Sequence, residues 1–272
     1  MLGKVVTFAN FKGGTGKTTN ASLISYTLAK KGFKTLLIDM DPQGNATSLM
    51  LKTYLAKNDE QLEYERTIMG AIIDKNLRGV ILHIDDNLDI IPAYRDFARY
   101  SEFLEDIIPT AKRAERPKYF KALLEEIRSD YDFILLDIPP TVSAISDSAL
   151  ASTDYAIIIM QTHERSLVGA RSFIDEMMSI AEKYNPDLDL LGVLPVILKQ
   201  NAVVDKEVMS KARELFGEEN MFDLVIPYME RLKTWDFTGI TIDRDVHDKR
   251  AFSLYEELTD EFLKRIEEIE NE

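Results

Sequence analysis

Cysteine is absent from the chain. That absence removes disulfides, thiolate metal sites and iron–sulfur ligation together, and it fits a reducing compartment. No apolar run approaches the length of a membrane span, and the first strand pattern begins at once, leaving no room for a signal peptide. A cytoplasmic location is the expectation. Positive charge is also in deficit. Lys and Arg number 33 against 47 Asp and Glu, a net charge of −14, which argues against a globally basic nucleic-acid binder and leaves only a local patch open. Hydrophobic residues supply 45% of the 272 positions. That is enough for a large core, and a single domain over 1–272 is the economical organisation.

The strongest local signal is Asn10-Phe11-Lys12-Gly13-Gly14-Thr15-Gly16-Lys17-Thr18-Thr19. A β-branched and aromatic run, residues 4–9, precedes it and reads as a buried strand. Apolar residues at helical spacing follow it from Ala21. Strand, glycine-rich turn and helix form the context of a phosphate-binding loop. Gly13, Gly14 and Gly16 let backbone N–H groups converge on an anion, and a helix opening at Lys17 or Thr18 adds its positive end. Lys17 is then the ligand of β- and γ-phosphate oxygens, and the Thr18 hydroxyl a ligand of Mg²⁺. Phe11 stands where the strict pattern requires its first glycine, and a second lysine, Lys12, lies inside the loop.

Two further strand ends carry carboxylates. Residues 34–39 read as a second strand running into Asp39-Met40-Asp41-Pro42-Gln43-Gly44. Carboxylates at i and i+2 of an extended segment point the same way. Beside a phosphate loop they hold Mg²⁺ or orient water for attack; standing alone, the same string is a polar turn closed by Pro and Gly. Residues 131–137 give four consecutive large apolar residues ending in Asp137, the pattern of a central parallel strand buried on both faces. Asp137 falls at the carboxyl edge, where such sheets bind ligands, as a metal-holding carboxylate or as the cap of the next helix.

Between these motifs the chain alternates strand and helix patterns. Leu88–Ala93 and Asp154–Met160 read as strands, and a long amphipathic helix is expected over about 166–184. A further strand is expected over 190–197 and a helix over 203–216. His83 reads as structural or exposed rather than as a ligand. Lys112-Arg113-Ala114-Glu115-Arg116 is a solvated helix face or a DNA contact. Residues 253–272 read as a helix with 8 acidic and 2 basic residues. Anionic lipid would repel it, so it is expected to pack on the sheet and not on a membrane.

The loop Lys12-Gly13-Gly14-Thr15-Gly16-Lys17-Thr18 resembles the deviant Walker A motif of the ParA/MinD group of P-loop ATPases. The string from Asp39 to Ser48 is similar to the motif of the ParA subgroup. Leu88–Ala93 and Asp137-Ile138-Pro139-Pro140 resemble two more of its segments. This resemblance covers nearly the whole chain. It implies an α/β P-loop NTPase with a mostly parallel central sheet and helices on both faces. It implies slow, partner-stimulated ATP hydrolysis with Mg²⁺, in a homodimer that forms with ATP. Nucleotide contacts fall on Lys12 through Thr19, with Lys12 completing the partner's site. Asp41 is implied for hydrolysis, Thr18, Asp41 and Asp137 for the metal, and Pro227 with Tyr228 for the adenine. A short ParA form without an N-terminal helix-turn-helix is expected, binding nonspecific DNA on the nucleoid with a ParB-like partner. Two family arginines are missing, at Leu198-Lys199-Gln200-Asn201-Ala202 and at Ile226-Pro227-Tyr228. Residues 196–250 hold 9 basic and 11 acidic side chains, so DNA binding rests on the resemblance and on a patch of different layout, from Lys199, Lys206, Arg231, Lys233, Arg244, Lys249 and Arg250. A positioning ATPase for a protein assembly shares every motif. A nucleotide-gated binding module with negligible hydrolysis is the remaining alternative.

Overall fold

The computed structural model describes residues 2–196 and 203–271. One seven-stranded sheet is built from β1 (Lys4–Ala9), β2 (Thr35–Asp39), β3 (Leu82–Asp85), β4 (Leu88–Ile91), β5 (Phe133–Asp137), β6 (Tyr155–Gln161) and β7 (Asp189–Val196). Their order is β3-β4-β2-β5-β1-β6-β7, and every pairing is parallel except β3 with β4. β2, β5 and β6 are buried along their whole length, and β1 from its second residue. Their runs of large apolar residues follow from that, because helices cover both faces. The alternation of strand and helix, the parallel sheet and the buried central strands are as the sequence led us to expect.

On one face lie α3 (Ile68–Ile73), α4 (Tyr100–Ile107), α5 (Lys118–Arg128), α6 (Ala144–Ser152), α7 (Glu164–Tyr184) and α8 (Val203–Phe216), packed through Phe97, Tyr100, Phe120, Leu150, Phe173 and Met209. On the other lie α1 (Lys17–Lys30), α2 (Asn45–Asn58), α9 (Glu230–Thr238) and α10 (Val246–Glu270), joined through Ile24, Leu49, Trp235, Tyr255 and Phe262. Helix α10 packs back onto α1 and β7, as expected of the acidic tail.

Helix α10 begins seven residues before the apolar stripe suggested. Its first turn is polar after an exposed Val246 and shows no apolar periodicity. The start is set by Asp245, whose carboxylate accepts from the backbone N–H groups of His247 (2.8 Å) and Asp248 (3.0 Å). Three elements had no sequence counterpart: α2, α9 and β3. α9 is short and mostly polar, and it is held by Trp235, which donates to the buried Asp248 carboxylate at 3.2 Å. β3 is four residues long and pairs antiparallel with β4, where His83 Nδ1 meets Asp89 Oδ1 at 2.9 Å. The sequence leads to a structural or exposed histidine there, and His83 is exposed.

One carboxylate on the α6 face is stabilised poorly. Asp147 has a buried oxygen, Oδ1, with no hydrogen-bond partner, and burial followed by the nearby Glu176 charge pushes its carboxyl up to about 6. The folded chain therefore binds this proton more tightly than the unfolded chain, whose Asp titrates near 4. Stability should fall as pH rises between those two values and stay low above them. Asp147→Asn is expected to add about 1 kcal/mol at pH 7.5, a value reduced for partial exposure, and nothing at pH 4. Urea unfolding at both pH values measures it; equal effects at both would remove the assignment.

Candidate functional site: a phosphate-binding cleft at the carboxyl edge of the sheet

The chain reverses direction across the sheet at β1, which has β5 on one side and β6 on the other. Loops leaving β1, β2 and β5 therefore meet at one edge, where open α/β sheets bind ligands. The register brings Asp39 opposite Asp137, and Phe8 opposite Asp137. Gly13, Gly14, Thr15, Gly16, Lys17, Thr18, Thr19, Asp41, Pro139, Pro140 and Thr141 line a single cleft of about 900 Å³. Among the residues expected to bind phosphate or to catalyse, only Lys12 and Asp137 are absent from that lining.

The loop takes its shape from backbone positions that favour glycine. Gly14 has φ 70° and Gly16 φ 94°, both in the left-handed region where a side chain is strained. Gly16 precedes the first residue of α1, Lys17, which fixes the helix start at the earlier of the two expected positions. No side chain caps that end, so its N–H groups remain available to an anion. Asn10 anchors the loop from below. Its side chain is buried, donates to the Ile159 carbonyl at 2.9 Å and accepts from the Lys12 N–H at 2.8 Å. Gly169 of α7 permits this, because a Cβ there would stand 2.7 Å from Asn10 Oδ1.

Lys17 is 6% exposed, and burial holds its amine below the ordinary lysine range while Asp137 and Asp41 oppose that shift. Asp137 is buried beneath the loop, and neither carboxylate oxygen has a hydrogen-bond partner. Thr18 faces it and favours its charge, without reaching hydrogen-bond geometry. Burial, then the charge of Asp39, pushes the Asp137 carboxyl well up. Asp39 is fully buried and raised to about 6, again chiefly by burial. It is better satisfied, accepting from Thr47 N–H (2.8 Å), Thr47 Oγ1 (2.7 Å) and Asp41 N–H (3.1 Å). Asp41 stands half-exposed on the cleft wall, in a turn where its carbonyl accepts from Gly44 N–H at 2.9 Å.

Two carboxylates beneath a cationic loop, one with both oxygens unmet, form a place for a divalent cation. Among the described residues no three His, Cys, Asp or Glu side chains converge as a complete metal cage. That suits Mg²⁺, which keeps several waters and takes one or two protein ligands together with phosphate oxygens. Thr18 and Asp137, with Asp41 on the wall, fit the group.

Other expected residues lie elsewhere. Lys12 bonds to Gln161 at the end of β6 and lies in close contact with His163 at the start of α7. Pro227 and Tyr228 line a separate cavity of about 510 Å³ with Arg231, Thr234, His247 and Arg250. Of the expected basic patch, Arg231 pairs with Asp245 and Asp248, and Lys233 bonds to Tyr228. Residues 198–202, including Lys199, fall outside the described residues. In the other cluster, Arg116 bonds to the Ile108 carbonyl at 2.9 Å and Lys112 lies 3.8 Å from Glu115.

Several contributors escaped the motif reading. Thr47 satisfies Asp39, and its signal was its place in the string after β2. Asn20 ties the loop to α10, donating to the Gly16 carbonyl at 2.8 Å and accepting from the Tyr255 hydroxyl at 3.1 Å. Lys52 and Asp236 form the outer rim. No local pattern marks these last three residues.

A glycine-rich loop between β1 and α1, a lysine at the first helical position and a carboxylate beneath it define a P-loop NTPase. A family model described as an AAA domain matches residues 3–190. The chromosome-partitioning ATPase Soj of Thermus thermophilus is 30% identical over 264 residues, covering 97% of this chain and 96% of that protein. The chain belongs to the ParA/MinD family of P-loop ATPases, which includes chromosome-partitioning members. Among solved structures, apo McdA of Cyanothece superposes with a TM-score of 0.79 at 19% identity, covering 97% of this chain and 99% of that one. A plasmid partition protein of Borrelia burgdorferi B31 bound to AMPPNP superposes with a TM-score of 0.75 at 25% identity, covering 97% and 100%. Among the described residues no helix is long and apolar enough to cross a membrane.

Proposed function

We propose that the chain is an ATP-driven positioning switch: two copies pair when both hold ATP and Mg²⁺, and hydrolysis separates them. One observation carries this reading. The loop holds two lysines, and the Lys12 amine does not face the cleft of its own subunit. In the paired form Lys12 enters the partner's cleft and meets the terminal phosphate there. Pairing then depends on nucleotide, since without the triphosphate two cationic loops would repel each other.

Within one subunit the roles divide by position. The loop N–H groups and Lys17 hold the phosphates, and Thr18 and Asp137 hold the metal. Asp41 orients the attacking water from the cleft wall. Mg²⁺ held by these residues would supply charge neutralisation at the phosphate oxygens. Pro227 and Tyr228 enclose the adenine from the neighbouring cavity. Light scattering tests the pairing: the wild type with ATP is expected at twice the mass found without it, and Lys12→Ala at the monomer mass under both conditions. A Lys12→Ala dimer of normal affinity would refute the role of Lys12.

The cargo is a macromolecular assembly recognised through a protein partner. The charge distribution favours this over direct DNA binding: the net charge is −14, and Arg231 is committed to internal carboxylates. A second reading, partition of plasmid or chromosomal DNA with a ParB-like partner, is favoured by the full-length similarity to Soj. It requires nonspecific DNA binding in the ATP state and a nucleoid location. A gel shift of random-sequence DNA separates the two. Partition predicts an ATP-dependent shift that weakens steeply with salt; no shift at low salt would leave the assembly reading.

A further inference from the structure

Gln161 ends β6, and His163 caps α7. Both lie beside the phosphate loop, and nothing in the roles above uses them. Gln161 is buried and has two partners in that loop. Its Oε1 accepts from Lys12 Nζ at 3.0 Å, and its Nε2 donates to the Gly14 carbonyl at 2.7 Å. His163 Nδ1 accepts from the Ser166 N–H at 3.2 Å, which leaves the neutral ring its proton on Nε2. That Nε2 lies 3.0 Å from Gln161 Oε1 and in close contact with Lys12 Nζ. One amide oxygen thus receives both the lysine and the histidine.

We propose that Gln161 and His163 are positioning residues that form a berth for Lys12 in the free subunit, and that ATP-dependent pairing must break this berth. The inference rests on the reading that Lys12 serves the partner's site. The berth sets a threshold: Lys12 leaves only when a partner's triphosphate offers more than Gln161 does. Because Gln161 also holds Gly14, the shape of the loop is coupled to the departure of the lysine.

Crowding of like charge supports this arrangement. Burial, then Arg165, lowers the Lys12 amine, and burial, then Lys12, lowers the His163 ring below its ordinary value. The charged groups facing His163 are Lys12 from the loop and Arg165 from α7. On the neighbouring α8, Asp205 is engaged by the Thr162 hydroxyl at 2.6 Å, and Lys211 feels Glu164. Protonating His163 makes both ring nitrogens donors. It then loses the Ser166 bond and sets a second cation against Lys12, so acid opens the berth.

The test is the dimer dissociation constant with a nonhydrolysable ATP analogue, measured by light scattering or analytical ultracentrifugation from pH 5.5 to 8. His163→Asn keeps a helix cap but removes the ring nitrogen beside Lys12. It is expected to tighten the dimer about five- to tenfold at pH 7.5, the order lost on each subunit when the Gln161 amide oxygen that receives Lys12 no longer has the Nε2–H that holds it in place. It should also remove the tightening that the wild type shows on acidification. Gln161→Glu puts a carboxylate against Lys12 and should loosen the dimer by a similar factor. Shifts of opposite sign cannot come from simple damage to the loop. An unchanged constant and pH profile in His163→Asn, or two shifts of the same sign, would overturn the berth. A wild type that never pairs with the analogue would instead remove the dimeric switch itself.

Discussion

Replacing Asp41 with alanine is expected to lower ATP turnover by about 10²- to 10³-fold, the range for losing a group that orients the attacking water. Nucleotide binding should survive. The turn around Asp41 keeps the Gly44 N–H bond to the Asp41 carbonyl and Gly44 at φ 66°, and truncation removes only the side chain's bond from the Gln43 N–H at 2.9 Å, so the wall stays standing. Asp39 and Asp137 stay in place beneath the loop, so metal and phosphate contacts persist. The variant should therefore accumulate as an ATP-bound dimer. Single-turnover phosphate release, paired with light scattering, reads both properties. Wild-type turnover would transfer the water-orienting role to another group, and loss of ATP binding would make Asp41 a binding residue only.

The second large effect is expected at Lys17. Its amine is buried beside Asp137 and Asp41, where little water screens its attraction for a phosphate oxygen. Among the described residues Lys17 is the one loop lysine that lines the cleft, and Lys17→Ala removes a cation that favours the ionised form of Asp137. Two carboxylates then face an incoming triphosphate unopposed. Calorimetry should show ATP affinity reduced by at least about 100-fold, the order expected for a buried charge-assisted contact. An unchanged affinity would place the nucleotide elsewhere.

How far this site could be read from the sequence depended on how local each feature is. The loop from Gly13 to Thr19, Asp41 and Asp137 were legible because strand, turn and helix lie within twenty residues, and apolar runs mark the central strands. The β2–β5 register that sets Asp39 opposite Asp137 is a product of strand order, which no spacing along the chain records. The depth of Asp39 was hidden for the same reason, since its partner Thr47 lies in the next helix. Residues 161 and 163 fall between the expected strand ending at Met160 and the helix expected from about 166, where no pattern marks them. Their contact with Lys12 joins segments about 150 residues apart and follows from β6 pairing with β1. Of the missed elements, α9 and β3 are short and weakly patterned, so packing rather than propensity holds them. The basic patch shows the reverse failure: a count of lysines and arginines says nothing about which already face a carboxylate, as Arg231 does.

The central claim is that Lys12 completes the site of another subunit. Mixing two inactive variants tests it most directly. Lys12→Ala retains Asp41 but has no lysine to offer, and Asp41→Ala offers the lysine but cannot hydrolyse. In a mixed dimer, one site combines the intact Asp41 of the first with the Lys12 of the second. Combined one to one before ATP is added, the pair should recover turnover well above that of either variant alone and at most about a quarter of wild type, the ceiling for random pairing with one complete site of two in each mixed dimer. Turnover no higher than that of either variant alone would show that Lys12 acts within its own chain, and would contradict the account.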